Sequence, residues 1–132
     1  MTAKGSVLVV DDDPSIVDML EKALTHVGYI TVRASNWEAQ GVAYEKQPDV
    51  ILLDILMPGL DGMELSNRLR ADPTTADIPI IVMAAAATLQ TTASHISVDA
   101  TLSKPFRLDR LYELIDRWVS VAKKRREEQP SR

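Results

Sequence analysis

The sequence predicts an α/β domain: a doubly wound, five-stranded parallel sheet covered by helices on both faces. Short β-branched runs alternate with segments of helical spacing. The run ends recur near residues 11, 33, 54, 83 and 103, mostly about 21 residues apart, roughly one strand, one helix and two turns. The chain has 132 residues, 45% of them hydrophobic and 26% charged, enough for one sizeable core in an ordinary globular composition. Repeated βα units of this kind require parallel strands with right-handed crossovers.

The elements follow in order. Strand runs are read at Val7–Val10, Tyr29–Val32, Val50–Leu53, Ile80–Met83 and Ala100–Leu102. Ile16, Met19, Leu20, Ala23, Leu24 and Val27 recur at helical intervals, with Pro14 near the start and Gly28 where a C′ glycine belongs. Ser35 or Asn36 caps a second helix through about Tyr44. Met63 to Arg70 forms a short third helix, ended by ADPTTADIP. The segment AAAATLQTTASHISV is a poor helix former, so the fourth helix should be short or irregular. Leu108, Leu111, Leu114, Ile115, Trp118, Val119 and Ala122 mark a strong fifth stripe. Residues 1–122 therefore read as the domain, and 123–132, KKRREEQPSR, as a charged, disordered tail or the start of a linker.

Composition excludes several classes. A net charge of −4 offers no electrostatic footprint for nucleic acid or an anionic membrane, and the KKRR run is followed at once by EE. The absence of cysteine removes disulfide and thiol chemistry. No apolar run approaches the roughly 18 residues of a membrane span, and the N-terminal apolar stretch is too short for a signal peptide. The expected location is the cytoplasm.

Chemistry concentrates at the strand ends, where open parallel sheets place their sites. Asp11, Asp12 and Asp13 follow the first run, Asp54 ends the third, and Lys104 follows the fifth. Asp54 stands between Val50–Leu53 and Ile55–Met57, an apolar setting in which an isolated charge is costly. If the first and third strands are neighbours, the carboxylates converge into a hard-oxygen site suited to Mg²⁺. Lys104 would add a positive charge worth about 4 kcal/mol at contact at an effective dielectric near 20. An ionised Asp54 held there is poised as a nucleophile towards phosphorus.

The segments VLVVDDDPSI, VILLDILMPGLDGMEL and LSKPF, in this order and at these spacings, resemble the receiver domain of bacterial two-component response regulators over about Gly5 to Val121. The resemblance implies a flavodoxin-like strand order 2-1-3-4-5. It makes Asp54 the phosphoacceptor, with Asp11 and Asp12 positioning Mg²⁺ together with Asp54 and the backbone carbonyl of Leu56. It also implies that Lys104 pairs with the phosphoryl group and that Lys104–Pro105 is cis. The partners it implies are a histidine kinase or phosphotransfer protein and a downstream protein bound through the fourth helix, fifth strand and fifth helix. The chain would be a monomer or weak homodimer, and no enzyme beyond Mg²⁺-assisted self-phosphorylation and dephosphorylation.

Two positions depart from the family pattern. Ala84 stands where a Thr or Ser hydroxyl usually grips the phosphoryl group, and Thr101 where an aromatic usually sits. The stretch between Ala84 and Lys104 is also about two residues shorter than is common. The peptide N–H of Ala85 remains as a phosphoryl donor, so an atypical switch is expected. Alternatives are the receiver part of a larger regulator and a phosphorylation-independent interaction domain. Asp13 reads as a helix cap, and His26 and His95 as isolated side chains without chemistry. Trp37 covers the second helix, and Trp118 belongs to the fifth stripe.

Overall fold

The computed structural model describes residues 3–35, 38–57, 60–92 and 98–128. Its strands are β1 (Gly5–Val10), β2 (Tyr29–Ala34), β3 (Val50–Asp54), β4 (Leu56–Met57), β5 (Leu60–Asp61), β6 (Ile80–Ala85) and β7 (Ala100–Lys104). Its helices are α1 (Pro14–His26), α2 (Glu38–Lys46), α3 (Gly62–Ala71), α4 (Ala86–Thr92) and α5 (Leu108–Glu128). Five strands form the main sheet, all pairs parallel, in the order β2-β1-β3-β6-β7. Counted within that sheet, this is the expected 2-1-3-4-5.

The period-two geometry of a strand sends alternate side chains to opposite layers. Leu8, Val10, Ile51, Leu53, Ile80 and Val82 join Ala39, Ala43, Leu65, Leu69 and Leu89 in one buried layer with α2, α3 and α4. Val7, Val9, Val50, Leu52, Ile81, Met83 and Leu102 join Leu20, Leu24, Leu111, Leu114 and Ile115 in the other, with α1 and α5. All five residues of β3 are buried because it is covered on both faces and flanked on both edges. Trp118 packs against the α1/α5 layer, as its place in the stripe implies.

The local signals explain the helix ends. Asp13 is the N-cap of α1, its side chain accepting from the Ser15 N–H at 3.0 Å. Gly28 adopts φ +100, the left-handed conformation that closes the end of α1. At α2, Glu38 Oε1 accepts from the Ser35 N–H at 2.8 Å, the reciprocal half of a capping box; Asn36 and Trp37 lie outside the described residues, as does His95. The described part of α4 runs over Ala86–Thr92, and residues 93–97, the rest of the segment expected as a short or irregular helix, lie outside the described residues.

Outside the main sheet, Leu56 and Met57 pair antiparallel with Asp61 and Leu60 as β4 and β5. One expectation is corrected. The segment 123–128, expected as a disordered tail, continues α5 as helix. No apolar stripe announced this. Polar contacts hold it instead: Lys123 donates to the Lys4 carbonyl, Arg125 to the Asp77 carbonyl at 3.1 Å, and Arg126 pairs with buried Asp49.

Tyr29 is buried at the start of β2 and its hydroxyl donates to Asp116 of α5. Burial, then the Asp116 carboxylate, raises its pKa well above the usual phenol value. The folded state therefore keeps this proton where the unfolded chain, with a phenol pKa near about 10, releases it. The resulting stabilisation is complete below about pH 10 and is lost as pH rises beyond it. In an absorbance titration of phenolate, one of the three tyrosines should ionise only on unfolding, and Tyr29→Phe should remove that lag. Simultaneous ionisation of all three near pH 10 would refute the assignment.

Candidate functional site

Strand register builds the site. β1 and β3 are neighbours with Val10 opposite Leu53, so the next residues, Asp11 and Asp54, emerge level at the carboxyl edge of the sheet. Both are buried, while Asp12, one residue further along the turn into α1, is exposed. One carboxylate oxygen from each of Asp11, Asp12 and Asp54 lies within 4.8 Å of the others, and among the described residues no other such acidic trio occurs. Asp11 Oδ1 also accepts the N–H of Asp13 at 3.0 Å, which fixes the turn.

Lys104 comes from further away. β7 is separated from β3 by β6, a distance of about 10 Å at ordinary strand spacing. Leu102 shares the level of Met83, and Met83 that of Asp54, so Lys104 stands two residues beyond that level. Only a long side chain spans this gap. Its Nζ lies 3.3 Å from Asp11 Oδ2 and 3.4 Å from Asp54 Oδ2, between the two buried carboxylates. The peptide bond that follows, Lys104–Pro105, is cis, as the resemblance implied.

Three carboxylates face one ammonium, leaving an excess of negative charge in a partly buried place. Like charges held this close repel unless a cation joins them. The donor set, all oxygen and acidic, fits a hard divalent ion such as Mg²⁺. Leu56, whose backbone carbonyl was expected as a further ligand, begins β4 two residues past Asp54.

The two departures also find their places. Ala84 is buried one residue beyond Met83, next to the site, and brings a methyl group where the family pattern has a hydroxyl. Ala85 is exposed at the end of β6, opposite Lys104 in the register. Thr101 is half-buried on β7, opposite Val82. The isolated His26 sits in the last turn of α1.

Several polar residues that shape the fold escaped the sequence reading. Asp49 accepts the Ser6 N–H at 2.7 Å, and Asp99 accepts the Ile80 N–H at 2.9 Å while pairing with Arg70. Each precedes a strand, at the edge of the sheet opposite the acidic cluster. An aspartate directly before an apolar run was the available signal. Gly62 is the first residue of α3. A Cβ there would meet the Ile55 backbone at 2.8 Å, so glycine lets α3 start against the residue after Asp54.

Comparison with known proteins agrees with this geometry. The response regulator receiver domain family matches residues 7–116. The chain is 35% identical over 108 residues to the DNA-binding dual master transcriptional regulator RpaA of a Synechocystis species, covering 80% of this chain and 45% of that protein. It therefore spans less than half the length of this curated relative. Among solved structures, the receiver domain of a sensor histidine kinase from Pseudomonas aeruginosa, with a magnesium ion coordinated in its active site cleft, superimposes with a TM-score of 0.82. It is 27% identical and covers 88% of this chain and 98% of that one. A chemotaxis response regulator of Vibrio cholerae superimposes with a TM-score of 0.79 at 27% identity, covering 89% and 99% of the two chains. With sheet order, acidic trio and bridging lysine in agreement with that match, the chain belongs to the response regulator receiver domain family of two-component systems.

Proposed function

We propose that this chain is a phosphorylation-dependent signalling module whose Asp54 accepts a phosphoryl group from a histidine kinase or phosphotransfer protein. The observation that carries the reading is the bridging position of Lys104, within 3.4 Å of Asp54 and 3.3 Å of Asp11. An Asp54 carboxylate oxygen forms the new bond to phosphorus, the bond from phosphorus to the donor breaks, and the donor keeps the electron pair. Lys104 stabilises the charge on the phosphoryl oxygens, and the Ala85 N–H donates to them. Asp11, Asp12, Asp54 and the Leu56 carbonyl are the residues that would hold Mg²⁺. When bound, Mg²⁺ neutralises charge on the phosphoryl oxygens. The burial of Asp54 between apolar residues limits the water that competes for the same phosphorus.

Ala84 and Thr101 make the switch atypical, since the hydroxyl and the aromatic through which the family usually reads phosphorylation are both replaced. A downstream protein is proposed to bind through α4, β7 and α5. The cytoplasm is the proposed location. A second reading, the receiver part of a larger regulator, is favoured by the 45% coverage of RpaA.

The test is incubation with Mg²⁺ and a small phosphodonor, followed by intact-mass measurement. The wild-type chain should gain one phosphoryl group, and Asp54→Asn should gain none. Chelation of Mg²⁺ should suppress the gain. A wild-type chain that binds Mg²⁺ but never gains the group would sink the proposal.

A further inference from the structure

The replacement of an aromatic by Thr101 has a spatial counterpart. A cleft of about 320 Å³ opens beside it, lined among the described residues by Leu89 of α4, Thr101 and Ser103 of β7, Pro105 and Phe106 after it, and Arg107 and Arg110 at α5. That volume is at the small end of the roughly 300–1,000 Å³ typical of ligand sites. Leu89 is buried and, with Pro105 and Phe106, gives the cleft its apolar contacts beside the polar Thr101 and Ser103. Arg107 and Arg110 bring the cationic groups of the lining, with no carboxylate among these residues. Their acidic neighbours, Asp109 at 3.1 Å from Arg107 and Glu113 at 3.3 Å from Arg110, form ion pairs between well-exposed side chains. Such pairs are worth little and exchange readily. α4 carries no acidic residue in its first turn and no basic one in its last, so the two arginines dominate this mouth.

We infer that this cleft is a docking site for an acidic segment of a partner protein, which inserts one aromatic side chain beside Thr101 and sets its carboxylates against Arg107 and Arg110. The inference rests on the proposed function and names the chemistry of its downstream partner. The physical grounds are complementary. An aromatic ring packs on Leu89, Pro105 and Phe106 at small entropic cost and gains further from an adjacent guanidinium. Carboxylates on the same segment pair with arginine in the strong, two-pronged geometry. The partner thus supplies in trans the ring that this chain lacks at residue 101. Discrimination follows from the same features, because a basic segment meets two like charges.

The probe is a fluorescent twelve-residue peptide with one phenylalanine among glutamates and aspartates, titrated against the full chain with and without beryllium fluoride. Saturable binding is expected, with amide shifts at Leu89, Thr101, Ser103 and Phe106. Replacing the peptide's acids by lysine, or its phenylalanine by alanine, should weaken binding at least about tenfold. Thr101→Tyr should fill the cleft and block binding. Arg107→Glu, an exposed change that leaves the core intact, should weaken binding at least about tenfold and reduce its salt dependence. Absence of saturable binding in both states, equal binding of the lysine peptide, or unchanged binding by Thr101→Tyr and Arg107→Glu would overturn the inference. So would a Thr101-dependent dimer in sedimentation, which would assign the cleft to a second copy. Because the cleft is present without a phosphoryl group, peptide binding is read separately from loading. Failure of beryllium fluoride to perturb Asp54 would count against the phosphoacceptor, and failure of the peptide against the cleft.

Discussion

Ala84→Thr should speed phosphoryl uptake at Asp54 by about ten- to a hundredfold, because a charge-assisted hydrogen bond contributes roughly 1.5–3 kcal/mol and each 1.4 kcal/mol is tenfold in rate. In the proposed reading Lys104 and the Ala85 N–H already act on the phosphoryl oxygens. Ala84 adds only a methyl group at a buried position beside them. A hydroxyl there supplies a donor whose partner appears only as the phosphoryl group arrives, so its effect falls on the rate. The measurement is the time course of mass gain with Mg²⁺ and a small phosphodonor, for wild type, Ala84→Thr and Ala84→Val. The valine variant has the bulk without the donor and should show no acceleration. Equal rates for threonine and valine would show that the missing hydroxyl is not what limits this site. Circular dichroism on each variant separates a rate effect from damage to β6, where extra atoms in a closely packed place carry a cost of about 1–3 kcal/mol.

Leu52→Ala is expected to have the largest effect on stability. Leu52 is fully buried at the centre of β3, in the layer shared with α1 and α5. Truncating such a leucine removes its transfer free energy and leaves a cavity, together about 2–5 kcal/mol. Against a total stability of about 5–15 kcal/mol for an ordinary domain, that is a large share. Urea unfolding should show a lower midpoint with little change in slope. Asp18→Ala is the contrast. Asp18 pairs with Arg33 at 2.9 Å, but both side chains are at least half exposed, so its loss should cost about 1 kcal/mol or less. If the two substitutions cost the same, the layered core described for β3 is wrong. Leu52 lies two residues before Asp54, so the variant should also lose phosphoryl uptake in proportion to the fraction unfolded and no faster.

These two residues illustrate how differently the parts of the molecule were written into the chain. The runs around Leu8, Leu52 and Ile81 announce strands because burial on both faces demands continuous apolar residues. Asp13 and Gly28 announce the ends of α1 through capping and a left-handed backbone. Signals of this kind act between residues a few positions apart, and they survive in a linear reading.

The candidate site was legible for a related reason. Asp11, Asp12, Asp54 and Lys104 each lie where an apolar run ends, and the order of runs limits which ends can meet. Identifying all four required only the strand boundaries together with the resemblance that those motifs carry. That Lys104 reaches past β6 to lie between Asp11 and Asp54 depends on register, which spacing does not specify.

By itself the sequence determined the fold class, the order of the elements and the residue types gathered at the carboxyl edge of the sheet, since periodicity, caps and strand ends are local properties. Only the tertiary structure decided the helical course of residues 123–128, the burial of Asp49, the pairing of half-buried Asp99, and the cleft beside Thr101. Each of those depends on partners far apart in the chain, such as Arg126 with Asp49 or Arg70 with Asp99. A charged residue looks the same in sequence whether it ends in solvent or against a buried carboxylate. The free energy that separates the two outcomes arises only when the folded sheet brings the partner into reach.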